Sequence, residues 1–148
     1  MSGYPTLKQI QEAKEKLRSL IVETPAHPWH DPWLSDRIGH NTEVFVKLEL
    51  LQVTGTFKPR GALNVMFNLD KSQLNRGVTT VSAGNHAIAT AYASKVLGTT
   101  VKVVMPKNAN PLRMQMARDL GAEIDLADNP HNAFARVQQI EREEGRAF

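Results

Sequence analysis

The 148-residue sequence contains no cysteine, which excludes disulfide bonds, thiolate zinc sites and thiol catalysis and favours a cytoplasmic protein. No apolar run approaches the ~20 residues of a membrane-spanning helix, and the N-terminus lacks the apolar core of a signal peptide. The net charge of +3 comes from dispersed Lys and Arg, so neither nucleic acid nor a membrane is expected as a partner. With 41% hydrophobic and 22% charged residues, the chain has the composition of a globular protein with a real core.

Closely spaced glycines are also absent. No G-x-G-x-x-G follows a predicted strand, which disfavours a nucleotide-binding βαβ domain. The closest glycines, Gly55 and Gly61, are too far apart to form a phosphate cradle of converging N–H groups. His27, His30 and Asp31 lie near one another, but they lack the spacing of a metal site, so no metal is predicted.

The second half of the chain alternates between strand and helix patterns. Strands are predicted near Val78–Ser82, Val101–Met105 and Glu123–Ala127, and helices near Asn85–Leu97, Leu112–Leu120 and Asn132–Glu144. Glycines follow the helices, and Asn-Pro pairs precede the last two of them. This spacing is typical of βαβ units, so we expect an α/β fold of three layers, with a parallel sheet between flanking helices.

The first half is less regular. A helix is predicted to start near Thr6, which has capping-box spacing to Gln9. The segment Thr24–Leu34, rich in Pro, His and Trp, is predicted to be an ordered loop. Alternating β-branched residues then predict a strand over Val44–Leu48.

One lysine at a helix start is the first candidate for chemistry. The segment after the Val44–Leu48 strand reads TGTFKPRGA, with Thr56 as the expected N-cap and Pro59 in the first helical turn. Lys58 is therefore expected near the positive end of a helix dipole and partly buried behind Phe57, and both effects favour the neutral amine. A neutral lysine attacks aldehydes to form a Schiff base. The alternative is an ordinary exposed lysine.

A second motif, SAGNHA, follows the strand predicted over Val78–Ser82. Gly84 permits a tight turn, and Asn85 can cap the next helix while it presents its amide. Free N–H groups at such a turn bind anions, and the carboxylate of an amino acid is one such anion. The alternative is a capped helix after a buried strand, with His86 merely solvated.

The stretch KLELLQVTGTFKPRGALN, residues 47–64, resembles the lysine segment of the pyridoxal-phosphate-dependent threonine/serine dehydratase and serine racemase family, which has the tryptophan-synthase-β-like fold. The positions that also match the family's spacing are Glu49, Gln52, Thr54, Gly55, Arg60, Gly61 and Ala62. The resemblance implies that Lys58 holds pyridoxal phosphate as a Schiff base and removes the substrate's α-proton. It also implies that Phe57 packs beside the pyridine ring.

The later motifs continue the resemblance. In SAGNHA it implies that Ser82, Asn85 and His86 bind the substrate carboxylate and that Asn85 also hydrogen-bonds the cofactor's phenolic oxygen. MPKNANPLRMQMARDLGAEI, residues 105–124, resembles the family's small domain, where this helix and strand are mainly structural.

The implied reaction is dehydration of a β-hydroxy amino acid, threonine or serine, to a 2-keto acid and ammonia. Family racemases carry a serine at the position of Ala83, and alanine moves no proton, so racemisation is disfavoured. Ile88 and Ala89 replace a Gln-Gly pair that is common in dehydratases. Another β-hydroxy amino acid, such as an aryl-serine or hydroxyaspartate, is therefore an alternative substrate.

The resemblance covers the whole chain but less than half of the family's usual length. It implies that residues 1–54 belong to the larger cofactor-binding domain and that residues 55–148 form the small α/β domain. The glycine-rich phosphate loop would lie beyond Phe148. We therefore expect an incomplete piece, inactive alone, whose partner is the remainder of the enzyme or a second chain, in an enzyme that forms homo-oligomers. The alternative is a non-catalytic α/β module that folds or binds a partner without turnover.

Overall fold

A three-stranded parallel sheet with helices on both faces forms the centre of the computed structural model, which describes residues 3–39 and 41–148. The helices are α1 (Leu7–Leu17), α2 (Pro32–Ile38), α3 (Lys58–Met66), α4 (Lys71–Arg76), α5 (Asn85–Leu97), α6 (Pro111–Asp119) and α7 (Pro130–Glu144). The strands are β1 (Ala26–Pro28), β2 (Phe45–Lys47), β3 (Val78–Val81), β4 (Val101–Pro106) and β5 (Glu123–Ala127), and a 3₁₀ helix spans Glu49–Leu51. Within the described ranges, every helix is too short or too polar to cross a membrane.

The sheet has the order β3-β4-β5, and all of its strands are parallel. Val78 lies opposite Val101, and Lys102 lies opposite Glu123. Beyond β3, Ala147 forms a parallel bridge to Val78, so the chain after α7 returns to the free edge of β3. The predicted strands, and the helices between them, are confirmed to within a few residues at each end.

The core lies on both faces of the sheet because β4 alternates its side chains between them. Val103 and Met105 are fully buried in the cluster that contains α3 and α5, whereas Val104 is buried against α7. The α5 helix contributes mainly alanines to the core, and these small side chains let α3 pack closely across it. Leu63 of α3 is fully buried in the same cluster. The helix that carries Lys58 is thus fixed to the helix that begins at the SAGNHA turn.

The helix ends confirm several sequence predictions. Asn110 and Asn129 cap α6 and α7 through their side chains, and proline follows each of them. Gly98 and Gly145 end α5 and α7 in the left-handed conformation, which glycine adopts without steric strain.

The N-terminal part differs from its prediction in one place. The capping box of Thr6 and Gln9 is present at the start of α1. The loop predicted over Thr24–Leu34 is wrong, because β1 pairs there with β2 in antiparallel register and α2 begins at Pro32. A strand this short forms only when its partner is present, and that partner lies well downstream in the sequence.

Large apolar side chains remain exposed along this part of the chain. On α1, Leu17 is buried, but Leu7 is 70% exposed. Other exposed apolar side chains before α3 are Tyr4, Ile10, Val22, Trp29, Trp33, Ile38, Phe45, Leu50, Leu51, Val53 and Phe57. Such side chains are candidates for a contact with another part of a protein.

Candidate active site

Lys58 is the first residue of α3 and is half-buried. Pro59 follows it in the first turn, as predicted. The prediction that Thr56 is the N-cap residue is wrong, because Phe57 directly precedes the helix and has a helical backbone. Thr56 Oγ1 instead accepts a hydrogen bond of 3.3 Å from the Lys58 N–H. The lysine side chain therefore starts at the N-terminal end of the α3 dipole.

A cleft of about 440 Å³ contains Lys58, Phe57 and His86. The Lys58 Nζ atom lies 5.1 Å from the centroid of the Phe57 ring, and that ring is 59% exposed. Apolar side chains of α3 and of the segment after it, together with hydroxyl groups of β3 and α5, form the other walls, including Val65, Met66, Leu69, Thr79, Thr80 and Thr90. The lysine amine thus opens into a partly apolar space that has an aromatic face and an imidazole at its edge.

His86 lies in the first turn of α5 and is half-buried. Burial is the main cause that lowers the pKa of its imidazole below 6.5, and the positive charge of Lys58 lowers it further. His86 is therefore neutral at neutral pH, and it is electrostatically coupled to Lys58.

Replacing Lys58 by methionine is expected to raise the His86 pKa part of the way back toward 6.5, because the charge repulsion is lost while the burial remains. An NMR titration of the imidazole measures this shift. Lys71→Met, which removes an exposed lysine at the start of α4, serves as the control and should leave the His86 titration unchanged. A His86 pKa that falls or stays constant in Lys58→Met would contradict the coupling.

The turn between β3 and α5 carries the remaining predicted residues. Ser82 Oγ accepts a hydrogen bond of 3.2 Å from the Gly84 N–H, and Gly84 is the residue that precedes the helix. The prediction that Asn85 caps α5 is wrong, because Asn85 is already the first helical residue and its Oδ1 atom accepts a hydrogen bond from Arg113. Ser82 and Asn85 do not line the Lys58 cleft; they form the turn that leads into His86.

An ion pair holds the first turn of α3 in place. The Arg60 guanidinium binds both carboxylate oxygens of Glu49, at 2.8 and 3.0 Å. The Thr24 hydroxyl donates to the same carboxylate at 2.6 Å. The hydrogen bonds from Arg60 and from Thr24 lower the Glu49 pKa to about 2 against the opposing effect of burial. This pair connects the helix of Lys58 to the 3₁₀ helix and to the segment that leads into β1.

A second hollow and a metal site were also candidates. A hollow of about 510 Å³ lies between α1 and α3, but none of the predicted site residues lines it. Among residues 3–39 and 41–148, no three His, Asp or Glu side chains are placed to hold a metal ion together. The predicted site residues lie in the Lys58 cleft and in the adjoining turn.

Comparison with known proteins identifies the family. Residues 17–148 match the family model described as pyridoxal-phosphate dependent enzyme. Over 144 residues the chain is 54% identical to phenylserine dehydratase from Ralstonia pickettii, a match that covers 97% of this chain and 43% of that protein. It is 39% identical over 140 residues to L-threonine ammonia-lyase from Geobacter sulfurreducens, covering 94% of this chain and 34% of that protein. The structure of maize serine racemase superposes with a TM-score of 0.81 at 31% identity, covering 93% of this chain and 41% of that one.

The chain therefore belongs to the pyridoxal-phosphate-dependent enzyme family, and it spans less than half the length of these relatives. The predicted family, the tryptophan-synthase-β-like α/β fold and the cofactor of the family are confirmed. The substrate and the roles of individual residues remain predictions.

The residues of the cleft fit pyridoxal phosphate. A primary amine for the aldehyde stands at a helix start with an aromatic ring 5.1 Å away. The volume of about 440 Å³ lies within the ~300–1,000 Å³ that is usual for small-molecule sites. The first turn of α5, which carries no acidic residue, adds N–H groups suited to an anion.

Arg113 is a residue of this region that sequence analysis missed. The stretch around it was assigned a mainly structural role, yet its guanidinium reaches the SAGNHA turn. No local signal marks this contact, because it joins two helices through tertiary packing.

Proposed function

We propose that this chain is the N-terminal portion of a cytoplasmic, pyridoxal-phosphate-dependent lyase that dehydrates a β-hydroxy amino acid to a 2-keto acid and ammonia. The observation that carries this proposal is the position of Lys58, half-buried at the start of α3 and in one cleft with Phe57 and His86. An ordinary surface lysine would not share a cleft with an aromatic ring and a partly desolvated imidazole.

Lys58 has two tasks in this proposal. Its Nζ atom would hold the cofactor through its aldehyde group, and the same amine would accept the α-proton of the substrate. The bound cofactor supplies an electron sink for the negative charge at the α-carbon. Because the His86 pKa is lowered, Lys58 faces a neutral imidazole and not a second cation when it accepts the proton.

The turn before α5 binds and orients the substrate. We assign the carboxylate of the substrate to Ser82, Asn85 and His86, where the N-terminal end of the α5 dipole favours an anion. The Ser82 hydroxyl is held by the Gly84 N–H, which fixes the shape of the turn. The Asn85 amide would also donate a hydrogen bond to the phenolic oxygen of the cofactor.

Elimination is favoured over racemisation at this site. Racemisation needs a second acid/base group on the opposite face of the cofactor, and this chain has Ala83 at the position where family racemases carry a serine. Dehydration does not require that group, since Lys58 removes the α-proton and the β-hydroxyl departs.

An aryl-serine is our preferred substrate, ahead of the threonine or serine expected from sequence. The 54% identity to a protein named phenylserine dehydratase supports this choice. Ile88 and Ala89, the departures from the usual dehydratase pattern, are both buried within α5. They would therefore act on the substrate through the packing of α5 and not by direct contact.

Residues 1–54 are proposed to belong to the larger domain of the intact enzyme, with residues 55–148 as the small α/β domain. The exposed apolar side chains of α1, β2 and the 3₁₀ helix support this division, since the remainder of the enzyme would cover them. We also propose that the intact enzyme is a homo-oligomer.

The test is an assay of the intact enzyme with threo-phenylserine, L-threonine and L-serine, monitoring ammonia and 2-keto acid. We expect phenylpyruvate and ammonia from phenylserine, with kcat/KM at least about tenfold above that for L-threonine. The 148-residue chain alone is expected to be inactive. Inverted amino acid as the main product would overturn the lyase proposal, and no reaction with any of the three would favour a non-catalytic module.

A further inference from the structure

Arg113 reaches from α6 to the turn at the start of α5. Its Nη1 atom donates a hydrogen bond to the Asn85 Oδ1 atom. The same nitrogen lies 3.6 Å from the position that a β-carbon on Gly84 would occupy. These two observations place the half-buried guanidinium directly over the turn from Ser82 to Asn85.

This contact fixes the orientation of the Asn85 amide. A guanidinium has only donors, so the amide must turn its oxygen toward Arg113. The amide NH₂ then faces away from Arg113 and is the end that can donate to a ligand. Without Arg113, the two orientations of the amide would differ far less in energy.

Arg113 also adds a positive charge beside the first turn of α5. The first turn of α5 already favours an anion through its N–H groups, and it carries no acidic residue. The guanidinium supplies a full positive charge beside these partial charges, and burial of the site increases its effect. A carboxylate gains from this charge, whereas a neutral group does not.

Packing alone does not account for the contact. The α5 and α6 helices already meet in the apolar core, where Ala91 and Ala117 are fully buried. A charged side chain at the edge of that interface adds little to the burial of apolar surface. Its nearest polar partner is instead a residue that the proposed function assigns to the substrate.

We propose that Arg113 is a positioning residue that orients Asn85 and strengthens the binding of the substrate's carboxylate, an inference that rests on the proposed function. It acts through Asn85 and through its charge. It is not assigned any proton transfer.

The test compares two probes on the intact, cofactor-loaded enzyme. L-Alanine has the amine and the carboxylate of a substrate but no leaving group, and ethylamine is the same molecule without the carboxylate. The cofactor absorbance reports the exchange of Lys58 for either amine, so binding is measured without turnover. Arg113→Met is expected to weaken L-alanine binding about 10- to 100-fold and to change ethylamine binding less than about 2-fold.

Three further variants sharpen the comparison. Arg113→Lys retains a cation without the forked geometry, so we expect an intermediate loss for L-alanine. Arg118→Met removes the same charge from the exposed end of α6 and serves as the matched control with no effect. Adding Arg113→Met to Asn85→Ala should cause less loss than Arg113→Met does alone, because the two residues act together.

Equal weakening of both probes, or unchanged binding of L-alanine, would overturn the role of Arg113 while leaving the proposed function intact. If Arg113→Met does not fold, the loss in Arg113→Lys relative to Arg118→Lys decides the question in the same way. If neither probe changes the cofactor absorbance of the unmutated enzyme, the proposed function is overturned. The inference about Arg113, which rests on it, is then overturned as well.

Discussion

Replacing Lys58 by alanine in the intact enzyme is expected to lower kcat by about 1,000-fold or more, because the proposed function gives this one side chain both the anchoring of the cofactor and the removal of the α-proton. The amine stands at the start of α3 in the cleft shared with His86. The 2-keto acid released in a steady-state assay measures the loss. Lys71→Ala, at the exposed start of α4, is the control and should retain full activity.

The loss of activity in Lys58→Ala should also be partly reversible by a free amine. Ethylamine added to this variant should restore part of the activity, because a small amine can fill the space left by the side chain and accept the proton. A merely structural lysine would not be replaced by a free amine. Near-normal activity in Lys58→Ala would exclude Lys58 as the base and would show that it is an ordinary lysine at the start of a helix.

Glu49→Gln is expected to lower the free energy of unfolding by about 2–3 kcal/mol, because it leaves the Arg60 charge without its carboxylate partner. The Glu49 side chain is 17% exposed and that of Arg60 is 34% exposed, so solvent screens part of the effect and the expected loss falls at or below the lower end of the ~3–5 kcal/mol for a broken buried pair. Chemical denaturation at neutral pH measures the change.

Glu12→Gln is the matched control for this substitution. It breaks the exposed pair of Lys8 and Glu12, whose charged atoms are 3.9 Å apart, and it should change the stability by less than about 0.5 kcal/mol. If Glu49→Gln behaved like this control, the pair would not hold α3 in place.

The pH dependence of stability also tests the contribution of the Glu49–Arg60 ion pair. The folded-state pKa of Glu49 is lowered from 4.5 to about 2, so its contribution is present above 4.5 and is lost as the pH falls toward 2. The full shift corresponds to about 3 kcal/mol. Glu49→Gln should therefore show a smaller acid-induced loss of stability over this window than the unmutated protein.

Regular elements could be predicted well from this sequence because their signals are local. The predicted first and last residues of α5 and of β5 agree with the structure. The signals for such elements are β-branched runs, apolar periodicity and a glycine after the helix, and each of them lies within the element or next to it. The identity of Lys58 as the candidate base came from one short motif. Its cleft with His86, in contrast, depends on how α3 packs across α5.

What could not be predicted depends on contacts between distant residues. The β1 strand exists only because Ala26 pairs with Lys47, so a local pattern indicated a loop. Asn85 does not cap α5, because it is itself the first helical residue and its amide oxygen is bound by Arg113, 28 positions away. The motif positions Glu49 and Arg60 were visible in the sequence, but the ion pair that explains them required the fold.

The most direct test of the central claim is borohydride reduction of the purified protein after incubation with pyridoxal phosphate, followed by peptide mass mapping. If the cleft is organised for the cofactor, a single phosphopyridoxyl adduct will be found on Lys58, in preference to the exposed lysines. Adducts scattered over Lys71, Lys107 and other surface lysines would contradict the account, because they would show that this lysine has no privileged reactivity toward the aldehyde.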